Sequence, residues 1–333
     1  MGTFVLRRLF QLVIVLWGGA TILFILFYMV GGNPAERMAS GGGERNPNPQ
    51  VVRNLEVRYG LDKPKPQQYV AHMSRIARGD FGESFRTREP VVDIAKRRAP
   101  TSFRLAFWAV IIEGTMGIGS GMLSARRRNS LADVVTTIAA VVASAIPVFV
   151  LGFMIKQLTG VYAYQNDWPA WARFPTIGLG DNDWIFWVIP TGNTWKYVVQ
   201  PAFVLAAVST AILARITRTS MLETMRMDHV RTARAKGLSE KQVTRKHVLR
   251  NALIPVVTIL GIDFGTMVGA AILTETVFNI QGLGSQIVAS AKDLDMPVVI
   301  GLTMLVTLVY GTMSLLVDLS YAYLNPRVRL GDD

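Results

Sequence analysis

The sequence predicts an all-α integral membrane protein with six transmembrane helices and both termini in the cytoplasm. Three observations lead there. Half of the 333 residues are hydrophobic and only 17% are charged, which is the profile of a membrane protein and not of a soluble one. The apolar residues are gathered into long runs of the kind a bilayer-spanning helix of about 20 residues needs. Arginines and lysines flank those runs, so the net charge of +12 marks cytoplasmic faces and does not call for nucleic acid. Cysteine is absent, which excludes disulfides, thiolate metal sites and a cysteine nucleophile. The three histidines, His72, His229 and His247, form no local metal-ligand pattern.

Arg7 and Arg8 precede an apolar run from Leu9 to Val30, about 33 Å long at 1.5 Å per residue. Residues 1–30 are therefore expected to form the first transmembrane helix, with its N-terminus inside. The run is too long for a signal-peptide core, and no small-residue cleavage site follows it. Residues 31–98 form a long extracytoplasmic segment. Its Gly-, Pro- and Asn-rich start, GGNPAERMASGGGERNPNPQ, is expected to be a loop, with short helices over Val51–Tyr59 and Pro66–Arg78. Long loops largely escape the positive-inside bias, so the basic residues here do not conflict with an outer position.

The second span covers residues 101–124, with Glu113 near its middle, and Arg126, Arg127 and Arg128 follow on the cytoplasmic side. The third, 131–158, contains Pro147 and should kink there. Residues 159–196 form an outer loop holding five of the seven tryptophans. They suit an interfacial aromatic belt, with a substrate cage as the alternative, and WIFWVIP is too short to span. The fourth span, 198–216, leads into a polar loop, 217–254. The fifth, 255–278, carries Asp263 and the small residues Gly261, Gly265, Gly269, Ala270 and Ala271, which suit close helix contact. Asp295 and Pro297 supply a cap and first turn for the sixth span, 297–324. Arg327 and Arg329 keep the tail, 325–333, inside.

Residues 228–255, DHVRTARAKGLSEKQVTRKHVLRNALIP, are unlike the rest of the chain. Asp228 can cap a short helix that runs to Lys236, and Gly237 supplies the stop. Ser239 is placed as a second N-cap with Gln242 completing a capping box, and Leu238 and Val243 stand at staple positions. The second helix should run to about Ile254, where Pro255 favours a break or the first turn of a new helix. Ala233, Ala235 and Gly237 keep the first helix slim, so that another surface can approach its backbone. Arg231, Arg234, Lys236, Lys241, Arg245, Lys246 and Arg250 give the loop its charge. On spacing alone, a basic loop that merely fixes orientation is also open.

RTARAKG, from Arg231 to Gly237, followed by NALIP, from Asn251 to Pro255, resembles the EAA loop of bacterial ABC-importer permeases, in the dipeptide/oligopeptide branch. YGLDKPKPQQY and RGDFGESFRTREPV after the first helix are similar to the same family. So are FPTIG at 174–178, TETVFNIQGLGSQIV at 274–288 and the C-terminal YAYLNPRVR. Together these matches cover most of the chain. Arg231 and Thr232 depart from the Glu and Ala of the motif's name, Arg250 stands where many permeases have Pro, and Asn325 replaces a usual Asp.

The resemblance implies a cytoplasmic coupling helix that docks in a groove of an ATP-hydrolysing subunit. Its residues would be Asp228, Arg231, Thr232, Ala233, Arg234, Ala235, Lys236 and Gly237. Arg250, Asn251 and Pro255 would form the lever into the fifth helix. The implied partners are a second homologous permease, two ATP-binding subunits that use ATP and Mg, and an extracytoplasmic substrate-binding protein. Together they would work by alternating access in the bacterial inner membrane. Relatives of this branch are associated with dipeptides, oligopeptides, glutathione, nickel complexes and some sugars, with peptide the leading expectation.

GxxxxGK[ST], GxSxG and HExxH are all absent from the sequence, so no enzyme site, cofactor or metal is expected on this chain itself. Glu113 and Asp263 are costly at membrane depth unless they are protonated, paired or facing a cavity. They could line the translocation pathway and meet a peptide's amino terminus, bond between helices, or pair with a partner subunit. An ion-coupled secondary transporter using these carboxylates, and a scaffold without transport, are the competing classes. The basic loop argues against both, and no inverted repeat is evident.

Overall fold

The computed structural model describes residues 2–30, 33–40, 47–180 and 184–324. Helix α1 (Gly2–Phe24) is extended by one wide turn, Ile25–Val30. There follow α2 (Pro34–Ser40), α3 (Pro49–Tyr59), α4 (Lys65–Ala77), α5 (Val91–Arg126) and α6 (Leu131–Ala145). After these come α7 (Val148–Ile155), continued by a wide turn into the short α8 (Ala163–Gln165), and a hairpin of β1 (Trp184–Ile185) and β2 (Ile189–Pro190). The second half runs through α9 (Thr194–Thr224), α10 (Asp228–Ala235), α11 (Glu240–Gln242), α12 (Leu249–Val277), α13 (Leu283–Lys292) and α14 (Met296–Leu324).

Among the described residues, five helices are long and apolar enough to cross a membrane: Phe4–Tyr28, Val91–Arg126, Thr194–Thr224, Glu240–Val277 and Met296–Ser320. The expected third span, 131–158, is the pair Leu131–Ala145 and Val148–Gln165, whose two halves meet at 105°. This is a break where a kink was expected. Pro147 cannot donate to a continuing helix and holds the residue before it out of the helical region. Ile146 is accordingly extended, at φ −87° and ψ 124°. Prolines elsewhere do not break their helices: Pro100, Pro201 and Pro255 all sit inside continuous ones. Helix α5 thus starts ten residues before the expected second span, and its 36 residues extend about 54 Å, beyond a hydrocarbon core of about 30 Å.

The chain forms two compact units, one of residues 1–100 and 281–311, the other beginning at Thr101 and taking the remainder. In the first unit, Ala20 and Phe24 of α1 and Tyr28 of the wide turn share a core with Met296, Ile300 and Met304 of α14. The rings of Phe24 and Tyr28 stack at 4.8 Å. The segment expected as a loop is helical over α2, where Asn33 Oδ1 accepts from the Ala35 amide and Asn33 Nδ2 donates to Glu56 on α3. Residues 31–32 and 41–46 of that stretch lie outside the described residues, as do Asn325, Arg327 and Arg329. Asp295 stands at the expected cap position, its carbonyl accepting from the Val299 amide at 3.1 Å, and its side chain has a further use. Buried, it accepts from Ser84 Oγ at 2.5 Å and from the Phe85 amide at 2.9 Å.

In the second unit α9 packs against α12, α6 and α7. The expected close contact at the small residues of α12 is seen at Gly261, where a Cβ would lie 2.2 Å from Val317 Cγ2. The segment WIFWVIP forms the hairpin, with Trp184 paired to Pro190. Arg104 of α5 donates to Trp187 O, and Trp108 Nε1 to Val188 O. Phe186 and Trp187 turn the chain with positive φ and are exposed, as an interfacial belt requires.

Candidate functional site

The loop ahead of α12 is built from the inside outward. Val230 and Ala233 lie three residues apart and so share one face of α10. Both are buried, in a cluster with Ala125 of α5, Met221 of α9, Val243 and Val248 of the wide turn 243–248, and Ala252 of α12. A fully buried valine stabilises by roughly 1.5–3 kcal/mol, so Val230, Val243 and Val248 are enough to seat α10 on the ends of three long helices. His229 adds a polar tie. Its Nε2 lies 3.3 Å from His247 O and 3.2 Å from Asn251 Nδ2, which itself donates to His247 O.

The other face of α10 is open. Asp228, Arg231, Thr232, Arg234, Ala235 and Lys236 are exposed, and so is Gly237. Gly237 has φ +77°, the left-handed region that glycine enters at little cost, and it ends the helix as expected. Arg234 Nε donates to Glu240 at 2.7 Å across this turn, and Arg231 pairs with Asp228 at 3.8 Å. Both pairs are exposed and together contribute on the order of 1 kcal/mol or less. What remains is a narrow, mostly basic surface on a firmly held helix.

Three expectations for this loop change. Asp228 is the first helical residue and not the cap, because the carbonyl of Met227 already accepts from the Val230 and Arg231 amides. Its charge still favours the helix N-terminus. Ala233 faces the chain's own core, so of the small residues only Ala235 and Gly237 are presented outward. The expected staple is also incomplete, since Val243 is buried while Leu238 stays exposed. The capping box does form, with Ser239 N and Oγ 3.2 and 3.1 Å from Gln242 Oε1. From Glu240 the helix continues without a break to Val277, through Arg250, Asn251 and Pro255. Asn251, whose carbonyl loses its partner to Pro255, is exposed.

The two membrane carboxyls, 150 residues apart in sequence, are brought together. Glu113 of α5 is wholly buried, and its carboxyl interacts with that of Asp263 on α12. Apart from the Asp263 carboxyl, neither Glu113 oxygen has a hydrogen-bonding group beside it among the described residues. Asp263 is half-buried.

Sequence reasoning missed another buried acid, Asp133. Asp133 accepts from Arg218 Nε at 2.8 Å and Nη2 at 2.9 Å, from the Asn129 amide at 2.9 Å, and from Ser124 Oγ. It thereby joins α5, α6 and α9 beside the α10 cluster. A signal was present: Ser130 and Asp133 have the spacing of a capping box. That pattern predicts a local role for Asp133, whereas its carboxylate is taken by an arginine 85 residues away.

The comparisons with known proteins agree with this architecture. The family described as "Binding-protein-dependent transport system inner membrane component" matches residues 117–330, and its N-terminal counterpart matches residues 1–106. The chain is 35% identical to the dipeptide transport system permease protein DppB of Alkalihalophilus pseudofirmus, over 99% of this chain and all of that one. It is 38% identical to DppB of Escherichia coli over 98% of each chain. With the glutathione transport system permease protein GsiC of Escherichia coli it shares 35% over 99% of each. The fold is similar to a chain of the MetNI methionine ABC transporter in an inward-facing conformation, with TM-score 0.51 and 17% identity, covering 70% of this chain and 97% of that one.

Proposed function

The chain belongs to the family of binding-protein-dependent transport system inner membrane components, and from that premise we propose that it is the permease subunit of an ATP-driven importer of di- or oligopeptides. Peptide is favoured by the names of the relatives, several of which are dipeptide permeases. The proposed assembly holds a second homologous permease, two ATP-binding subunits that use ATP and Mg, and an extracytoplasmic substrate-binding protein. Both termini of this chain would lie in the cytoplasm.

The observation that carries the reading is mechanical. A basic helix, open on one face, is seated by a buried cluster at the head of a helix unbroken from Glu240 to Val277. A push on the exposed face of α10 would pass along this lever into the membrane, because the cluster leaves α10 little freedom to yield by itself. Closure of the ATP-binding subunits would draw the two coupling helices together and open the pathway outward, and hydrolysis would reset it. In this scheme Glu113 and Asp263 receive the ammonium group of the peptide when α5 and α12 part.

Co-purification with the ATP-binding subunits encoded beside it tests the reading, comparing the wild type with Ala235→Arg. Ala235 is exposed and arginine is nearly as good a helix former as alanine, so the variant should fold. Gly237→Arg would add strain at a positive φ. The expected result is loss of the ATP-binding subunits by about thirtyfold, the scale of an interface hot spot of ~2 kcal/mol. Unchanged retention would place the docking surface elsewhere.

The carboxyl pair favours a second reading, an ion-coupled secondary transporter. Uptake would then collapse with an uncoupler, and even the wild type would retain no ATP-binding subunit.

A further inference from the structure

The first unit contains a cavity of 280 Å³ that neither the lever nor the carboxyl pair uses. Ligand sites begin at about 300 Å³, so it suits a small solute. Its walls divide by charge. The helical wall carries Arg58 at the end of α3, Arg75 on α4 and, between those helices, Lys63, while the turn that follows α4 carries Asp80 and Glu83. Arg75, Lys63 and Glu83 are exposed and make no salt bridge within 4 Å among the described residues. Phe24 and Tyr28 add an aromatic side.

Two further lining groups are more than nine-tenths buried, His72 and Gln68. Among the described residues, His72 Nε2 and Gln68 Oε1 have no hydrogen-bond partner, although Gln68 Nε2 donates to the carbonyls of Leu61 and Lys63. Leaving such groups unpaired is expensive. Burial, with the Arg75 guanidinium adding to it, pulls His72 down to about 4. At neutral pH it is therefore a neutral ring, able to bond a ligand without adding charge.

We propose that this cavity binds a short peptide in its zwitterionic form. Its carboxylate would lie on the Arg58, Lys63 and Arg75 wall, its ammonium on Asp80 and Glu83, and its amide would meet the unpaired His72 and Gln68. The site is separate from the pathway through the membrane. Only the choice of a peptide as ligand rests on the importer reading; the segregation of charge and the unpaired buried groups do not.

The test uses the full chain in lipid nanodiscs, without any binding protein. The probes are alanyl-phenylalanine with free termini and the same dipeptide acetylated and amidated. Saturable binding of the free form is expected, with the capped form about a hundredfold weaker, since both charged contacts are lost. Arg75→Gln and Glu83→Gln, both at exposed side chains, should each weaken the free form by about tenfold and leave the capped form unchanged. Equal binding of the two probes overturns the proposal, as does no saturable binding. Binding insensitive to both variants but abolished by Glu113→Gln overturns it too, by placing the ligand in the membrane. Parallel uptake assays separate the two failures: peptide uptake without binding here sinks the cavity alone, whereas absence of peptide uptake sinks the importer reading.

Discussion

Glu113 and Asp133 are both buried acids of the second unit, twenty residues apart, and they are provided for in opposite ways. Asp133 takes two bonds from Arg218, one from Ser124 and one from the Asn129 amide. Among the described residues, the one polar partner of Glu113 is another carboxyl, that of Asp263. A buried acid whose oxygens are all occupied is committed to holding helices together. One left without donors inside a membrane helix costs stability and is by default a candidate for function. The contrast places Asp133 in the frame, and it fits the proposal above that Glu113 meets the transported solute.

The largest effect expected is from Arg218→Met. It strands Asp133 among α5, α6 and α9 and should lower the thermal unfolding midpoint by roughly 5–10 °C. Adding Asp133→Leu should restore most of the loss, because a buried pair is replaced more cheaply than it is halved. A single variant that unfolds with the wild type would break the contrast from the structural side.

Glu113→Gln and Asp263→Asn should behave the other way. Their midpoints should stay within about 2 °C of the wild type, while uptake of a labelled dipeptide drops by about tenfold and the ATP-binding subunits are retained. Wild-type uptake combined with a lowered midpoint would turn Glu113 into a second frame residue and break the contrast from the functional side.

Glu89 sharpens the comparison at its weak end. It sits at the surface, paired bidentately with Arg97 at 2.5 and 2.8 Å. The hydrogen bond from Arg97 holds its carboxyl below the usual range. A lowered folded-state value adds stability that is present above the ordinary carboxylate range and fades as pH falls through the lowered value. Thermal scans from neutral to acidic pH should show this contribution vanish in Glu89→Gln. The change should be the smallest of the three, since exposed pairs contribute little. A slope as steep in the variant as in the wild type would show that Glu89 does not take part.

Local chemistry was legible in the sequence wherever a few neighbouring residues decide the outcome. Ser239 and Gln242 form their box, Gly237 ends α10 in a left-handed turn, and the apolar runs become long helices. In each case the partners lie within a turn of one another, so spacing alone determines the contact. Proline was less legible. Pro147 breaks its helix by 105° while Pro100, Pro201 and Pro255 are absorbed, because packing around a helix decides whether a missing donor can be tolerated.

By itself, then, the sequence determined the class, the apolar runs that become long helices, the Ser239 capping box, the Gly237 stop and the basic loop, all set by hydropathy and near-neighbour bonding. Tertiary structure alone decided three things. It turned Ala233 inward and left Ala235 outside, joined Asp133 to Arg218 across 85 residues, and set Glu113 against Asp263. Each depends on which helix faces come together. Periodicity shows that a helix has an apolar face, but not which residue of a distant helix will meet it.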